Sequence, residues 1–496
     1  MPNTYISLII ITACLLTACA VGPDYVKPKT EQPATFKEGL NWKKAEPKDA
    51  VIRSNWWEVF ADAELNRLEG QITISNQTVK AAEAQFRQAR ALVAEARSSY
   101  FPFVSGNASQ SRGSTSTTGT SNKYVAALDA SWELDVWGRI RRTVESSDAT
   151  AEASAADLAS ARLSAQAELA IDYLDLRIAD EQKRLLDNTA TAYTRSLQLT
   201  QNLYNAGVQA KSDVLQAKVQ LQQTQAQAID IGVQRAQFEH AIATLVGKAP
   251  ADFTIAPVNA VPALPEIPIS IPSQLLERRP DIAAAERRTA AANAQIGVAE
   301  AAFFPDFTLS ASGGYQSSSF ANWFSLPNRI WSIGPSAVLT LFDAGLRSAQ
   351  TEAAIATYDQ TVANYRQTVL GSFQEVEDNI AALRILEQEA DVQEKTVADA
   401  HAAVTIFLNQ YKAGTVSYLS VVSAQTSELS NQLSALSVRK QRLTAAATLI
   451  KALGGSWEAT ELNKPYVTSP QTTTFSILPP TSTPIPIATP IPENKK

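Results

Sequence analysis

Tyr100-Phe101-Pro102 opens, and Leu134-Asp135-Val136-Trp137-Gly138 closes, a stretch that the chain writes twice. Phe303-Phe304-Pro305 and Leu341-Phe342-Asp343-Ala344-Gly345 bound the second copy. Inside the first copy Tyr124, Ala126, Leu128, Ala130, Trp132 and Leu134 alternate with Val125, Ala127, Asp129, Ser131 and Glu133. In the second, Phe307, Leu309 and Ala311 alternate with Thr308, Ser310 and Ser312, and Ile333, Ala337, Leu339 and Leu341 with Ser332, Ser336 and Thr340. A period of two is the signature of a strand with two unlike faces. Ala/Gln/Glu-rich sequence of helical period flanks both copies, and Tyr204-Asn205-Ala206-Gly207 is answered later by Tyr411-Lys412-Ala413-Gly414. The chain is therefore one unit of about 200 residues, duplicated.

Taken in order, the first repeat reads as a helix from Asp62 to Tyr100, unbroken over about 38 residues. A hairpin follows, with a weak strand Phe103 to Arg112, a Ser/Thr/Gly loop Gly113 to Ser121 and a strong strand Tyr124 to Leu134. Gly138 to Tyr204 is then a helix about 100 Å long, and after Gly207 a helix of roughly 50 Å runs from Asp213 to Val246. The second repeat has a helix from Leu275 to Phe304 with Pro280 early in it, strands Asp306 to Gln316 and Trp331 to Phe342, a helix near 100 Å from Ala344 to Tyr411, and a shorter one from Tyr418 to Leu453. The expected domains are a signal segment (1–18), an extended arm (19–61), the first repeat (62–247), a Pro-rich linker (248–272), the second repeat (273–457) and a Pro/Thr-rich tail without periodicity (458–496).

Composition excludes several functions. With a net charge of -6 and no basic block, the 496-residue chain lacks the concentrated cations that nucleic acid requires. Its two cysteines, Cys14 and Cys19, are both in the N-terminal segment, and its two histidines, His240 and His401, lie in separate predicted helices. No zinc site, disulfide framework, cofactor site or catalytic constellation is expected, and the chain is not expected to be an enzyme. The apolar run from Ile6 to Ala18, about 13 residues, is too short to span a bilayer and right for a signal-peptide core, although no Lys or Arg precedes it. It ends in Leu16-Thr17-Ala18-Cys19, small residues before a cysteine, the form of a lipoprotein processing signal with Cys19 as the acylated N-terminus.

Strands of about 10 residues with one apolar and one Ser/Thr/Asp face match transmembrane β-strands. The alternative is a soluble, half-buried sheet, against which the lipoprotein signal and helices far too long for a compact domain both weigh. Four such strands cannot close a barrel, and hydrocarbon tolerates no open edge, so a membrane reading requires chains to pool their strands. Two chains would give eight strands and a filled interior, whereas three give twelve and room for water. Each long helix can lie beside two shorter ones stacked end to end, forming a walled cylinder or, alternatively, a coiled-coil spacer without a lumen.

Certain motifs identify a family. Leu-Thr-Ala-Cys19 followed by Val21-Gly22-Pro23-Asp24-Tyr25, Trp56-Trp57 with Phe60, Glu133 to Arg139, Leu276-Glu277-Arg278-Arg279-Pro280-Asp281-Ile282, Ala301 to Pro305, Tyr411 with Gly414 to Leu419, and Leu453-Gly454-Gly455 with Trp457 together resemble the outer-membrane efflux lipoproteins of the NodT and OprM type, relatives of TolC. The resemblance implies an α+β membrane protein. Its fold would be a TolC-like channel-tunnel, in which a homotrimer forms a 12-stranded β-barrel in outer-membrane lipid, continuous with a periplasmic α-helical barrel. The residue after Cys19 is Ala20 rather than aspartate, which by family custom points to the outer membrane. The implied function is the passive exit duct of a tripartite efflux pump for small molecules or drugs, with a periplasmic adaptor and an inner-membrane transporter as partners. Competing functions are a duct for type I protein secretion and a non-conducting trimeric structural lipoprotein.

The same resemblance places a periplasmic gate at the turns carrying Tyr204, Lys211 and Asp213 in one half and Tyr411 to Ser423 in the other. Tyr411 and Leu419 match the family's tyrosine and constricting leucine. The two usual carboxylates are Ser420 and Ser423 here, and the family arginine is Thr426, so the ionic lock of relatives is not reproduced.

Overall fold

The computed structural model describes residues 20–31, 33, 35–38, 55–115, 119–258, 261–267 and 278–457. The signal segment, Cys19 and the Pro/Thr-rich tail lie outside these described residues.

After a 3-10 turn at Trp56–Phe60, helices α1 (Ala63–Ser75) and α2 (Gln77–Ser98) lead to strands β1 (Phe103–Thr115) and β2 (Gly119–Leu134). Helices α3 (Arg139–Asn205) and α4 (Lys211–Leu245) follow. The second set is α5 (Pro280–Ala301), β3 (Asp306–Ser317), β4 (Arg329–Val338), α6 (Leu346–Lys412) and α7 (Tyr418–Ala452). Both long helices have 67 residues and both partners 35, with corresponding ends separated by one constant interval. The duplication therefore extends to helix length, about 100 Å for each long helix at 1.5 Å per residue.

The helix ends repeat as well. Gly207, Gly247 and Gly414 have φ between 70° and 74°, and each follows the last turn of its helix. In the α3–α4 turn the Gly207 N–H reaches the Tyr204 carbonyl at 2.9 Å and the Val208 N–H reaches Leu203 at 2.9 Å, a Schellman arrangement that satisfies terminal carbonyls. Gly414 and Thr415 do the same to Tyr411 and Gln410 at 3.0 Å.

Sequence and structure part company at four places. The helix expected from 62 to 100 breaks at Asn76, whose backbone is extended, whose Oδ1 accepts from Val79 N at 3.0 Å and whose Nδ2 donates to Leu245 O at 2.8 Å. A tertiary contact with the end of α4 thus turns a polar residue within the helical pattern into an N-cap. The hairpin pairing runs on to Thr115↔Gly119, so most of the expected polar loop is ladder, since Ser and Thr are acceptable strand residues. Strand β4 stops at Val338 rather than Phe342, because its last partner on β3 is Asp306 and the chain beyond has nothing to pair with. Finally, Pro280 is the first residue of α5 and not an interior one; Arg279 before it is extended, as the ring of a following proline requires. The stretch 268–277, including Leu275, lies outside the described residues.

The four strands form one antiparallel sheet in the order β1-β2-β3-β4, so the two repeats meet at the β2–β3 pair, from Tyr124↔Ser317 to Leu134↔Phe307. Among the described residues, neither outer strand has a second partner strand. The main core lies elsewhere, where Trp56, Phe60, Leu65, Leu68 and Ile72 pack with Leu169, Tyr173 and Leu176 of α3, Ile242 of α4 and Leu449 and Ile450 of α7. Each such side chain contributes about 1.5–3 kcal/mol by leaving water. One member of the α1 face breaks the pattern: Glu69 has 0% exposure, and neither carboxylate oxygen has a hydrogen-bond partner.

Candidate functional site: the sheet wall, the helix tip and the arm

The register assigns every strand residue to a face, since directly paired residues project to the same side. Val104, Ala130, Ala311 and Ile333 form one row, and Gly106, Leu128, Gly313 and Trp331 the next. That face is apolar, and its larger members are open to solvent in a single chain: Leu128, Trp331 and Ile333 are each more than 60% exposed. The opposite face carries rows such as Ser105, Asp129, Ser312 and Ser332, with Ser312 Oγ donating to Asp129 at 2.7 Å. Gly314 marks a close approach of two strands. A Cβ built on it, pointing to the polar side, would lie 2.1 Å from Ala126 O and 2.6 Å from Ala127 Cα, so β2 and β3 leave no room for a side chain at this point of the polar face.

At the far ends of the long helices, Tyr411 is 1% exposed and its ring lies 5.2 Å from that of Tyr418. Ala217 and Val421 complete this small core, with Leu203, Phe407 and Val416 around it. Burial, and after it the negative charge of Asp213 from the other repeat, push the Tyr411 pKa up, while Thr200 opposes the shift. Higher up the same seam, Tyr193 Oη donates to Gln425 O at 2.9 Å and Gln425 Nε2 to Ser196 Oγ at 3.1 Å; burial raises the Tyr193 pKa to about 12.

Of the residues expected at the gate, the structure brings Tyr411 and Asp213 together across the two repeats. It leaves Leu419 59% exposed, one residue from the buried Tyr418, with Lys211 and Tyr204 also outside the core. Thr200, Tyr193 and Gln425 were missed by sequence reasoning, because their partners are 200 or more positions away and no local period marks them.

The arm runs along the helices from the sheet. Val21 N donates to Trp137 O at 3.0 Å, and a Cβ on Gly138 would lie 3.0 Å from that of Ala20. Arg142 then holds the arm, with Nη2 donating to Gly22 O at 3.1 Å and to Asp24 at 2.9 Å. Asn293 Nδ2 donates to Pro23 O at 2.9 Å. Gly22, at φ 96°, approaches so closely that its Cβ would fall 2.4 Å from Gly297 Cα. Residue 20 is thereby fixed at the junction of sheet and helix, beside the stacked pair Trp137 and Phe304, whose ring centroids are 4.7 Å apart.

Among the described residues no group of three or more His, Cys, Asp or Glu could hold a metal ion, and no helix is long and apolar enough to cross a membrane.

Comparison with known proteins agrees with this geometry. The family model described as outer membrane efflux protein matches residues 68–248 and 271–455, that is, both repeats. The probable efflux pump outer membrane protein TtgC of Pseudomonas putida is 30% identical over 467 residues, 92% of this chain and 96% of that protein. The solvent efflux pump outer membrane protein SrpC of Pseudomonas putida is 31% identical over 469 residues, 92% of this chain and 99% of that protein. Among solved structures, the outer-membrane channel OprN superposes with a TM-score of 0.84 at 33% identity, covering 88% of this chain and 100% of that one.

Proposed function

The chain belongs to the outer membrane efflux protein family and is the outer-membrane component of an efflux pump, and from this premise we propose how it is assembled and what it conducts. Three copies close a barrel of twelve strands, β4 of each pairing with β1 of the next. The two-faced sheet carries this reading: one face is apolar and open to solvent in a single chain, the other carries Ser, Thr and Asp, and among the described residues neither β1 nor β4 has a second partner strand. Lipid accepts no open edge, so the edges must pair between copies. From Tyr124 to Leu134 the apolar row of β2 spans about 33 Å along the strand, or about 25 Å at the tilt usual in barrels, the height of a hydrocarbon band.

The helices support the same assembly. Leu215, Val219, Ile229 and Val233 form a stripe on α4 that is at least half exposed in one chain, as is Leu370, Ile385, Val392 and Ile406 along α6. Neighbouring copies cover these stripes and wall a tunnel through the periplasm. Tyr411, Leu419, Asp213, Lys211 and Tyr204 surround its narrow end, and threefold symmetry brings three Leu419 side chains toward the axis. The cargo is small molecules, in keeping with the solvent pump of which SrpC is a part. An inner-membrane transporter supplies the energy through a periplasmic adaptor, and the tunnel itself is passive. Cys19 carries the lipid anchor, supported by the fixed position of Ala20 beside the membrane-facing junction.

Mass measurement of the purified full chain in mild detergent, followed by planar-bilayer recording, tests the assembly. A trimer that conducts is expected. A monodisperse monomer that conducts would refute the shared barrel, and a trimer without conductance would leave a structural stalk.

A further inference from the structure

The outward half of the sheet is electrostatically one-sided. Beyond the row of Asp129, residues 106–128 and 313–331 contain three charged side chains, Arg112, Lys123 and Arg329, and no acid. Every acidic residue of the sheet and its junctions, from Asp129 and Glu133 to Asp306 and Asp343, lies toward the helices. The register divides the three cations between faces. Arg112 pairs with Asn122 and Arg329 with Tyr315, both on the apolar face, whereas Lys123 pairs with Ser111 on the polar one. Both arginines are exposed, and no ion pair holds either of them among the described residues.

The loop after β3 adds a platform beside them. Phe320 and Trp323 pack on Tyr124 at centroid distances of 5.7 and 5.6 Å, and Phe324 packs on Tyr315 at 5.5 Å. Tyr124 and Tyr315 are apolar-face residues, so the loop folds over that face of the rim. It is held there by its own bonds: Asn328 Nδ2 donates to Asn322 O at 2.6 Å and Ser325 Oγ to the same carbonyl at 2.8 Å. Phe320 and Phe324 nevertheless remain about two-thirds exposed, at 69% and 65%.

We propose that this rim is a binding surface for the phosphorylated headgroup of an outer-leaflet lipid, with Arg112 and Arg329 taking the phosphates and the Phe320–Phe324 platform seated at the headgroup and acyl boundary. The proposal rests on the membrane reading above. Guanidinium is the side chain that matches phosphate with two parallel hydrogen bonds, and aromatic rings favour the membrane interface. An exposed cation with no acid in its half of the sheet has its charge free for such a ligand.

The test uses the full chain in mild detergent, with bound lipid counted by native mass spectrometry. The probes are bisphosphorylated lipid A and its dephosphorylated form. The parent is expected to bind the first about tenfold more tightly, a preference that one charge-assisted contact suffices to give. The double variant R112Q/R329Q should lose this ratio while keeping the parent's planar-bilayer conductance and ion selectivity. A second variant, Trp323→Ala, should weaken both lipids and leave the ratio unchanged. Equal binding of the two lipids by the parent would overturn the proposal. So would an unchanged ratio in R112Q/R329Q, or altered ion selectivity with lipid binding intact, which would place the arginines in the mouth of the pore. Parent protein that neither inserts nor conducts would instead bring down the membrane reading.

Discussion

Replacing Glu69 should stabilise the protein, and by an amount that depends on pH. Its carboxyl is fully buried on the apolar face of α1 without a hydrogen-bond partner, and burial pushes its pKa from 4.5 up to about 9. Folding therefore requires this group to be protonated at neutral pH, whereas the unfolded chain leaves it ionised. Below about pH 4.5 both states hold the proton and nothing is lost; between about 4.5 and about 9 stability falls by about 1.4 kcal/mol per pH unit; above that the loss is constant. At pH 7 the cost is about 3 kcal/mol per chain. Glu69→Leu removes the ionisable group at similar volume and should recover most of it, while Glu69→Gln should recover less, because a buried amide without partners costs about 1–3 kcal/mol. Thermal melting followed by circular dichroism at pH 5 and pH 8 reads the difference. The gain of Glu69→Leu over the parent should be several degrees at pH 8 and much smaller at pH 5. Equal gains at both pH values, or parent stability that rises between them in step with Glu69→Leu, would refute the reasoning.

Three further outcomes are expected. Leu419→Ala should raise single-channel conductance markedly and Asp213→Asn should change it little; the opposite pattern would make the gate ionic. Cys19→Ser should abolish labelling by fatty acid while the protein stays in the membrane through its barrel, and undiminished palmitate labelling would remove the anchor assignment. Gly314→Val must push its side chain into Ala126 and Ala127, so the β2–β3 pairing should be disturbed and the trimer be lost on gel filtration, whereas Gly313→Val, with open space around its Cβ, should assemble.

The duplicated grammar of the chain was legible because both of its periods are strong. Alternation over Tyr124 to Leu134 and the spacing of Tyr204 to Gly207 against Tyr411 to Gly414 need no tertiary information, and the family motifs extend the same frame from Val21 to Trp457. What escaped is what distant contacts decide. Asn76 looks like an ordinary polar residue on a helix until the end of α4 supplies Leu245 O, and Glu69 looks like a solvated neighbour of Leu68 until α1 is packed. The reason for Gly297 is equally distant in sequence: a Cβ on it would meet the Arg142 side chain and Val21 O, and a Cβ on Gly22 would meet Gly297 Cα.

The helix tip shows why the two repeats are not interchangeable despite equal helices. At the constant interval between the copies, Tyr204 corresponds to Tyr411, Lys211 to Tyr418, Ser212 to Leu419 and Asp213 to Ser420. One half thus presents a cation, a hydroxyl and a carboxylate where the other presents a buried ring, an exposed leucine and a hydroxyl. Only the second half makes the aromatic core, with Tyr411 and Tyr418 in contact, whereas Tyr204 stands 39% exposed. The single carboxylate of the first turn, Asp213, lies in the first turn of α4 near that core, where the buried Tyr411 Oη has no hydrogen-bond partner among the described residues. Removing its charge should therefore not free the α6–α7 pair, which is held by ring packing. On the proposed gate, closure through apolar contacts of one repeat should survive Asp213→Asn and yield to Leu419→Ala, and equal single-channel conductance of Leu419→Ala and the parent would refute it.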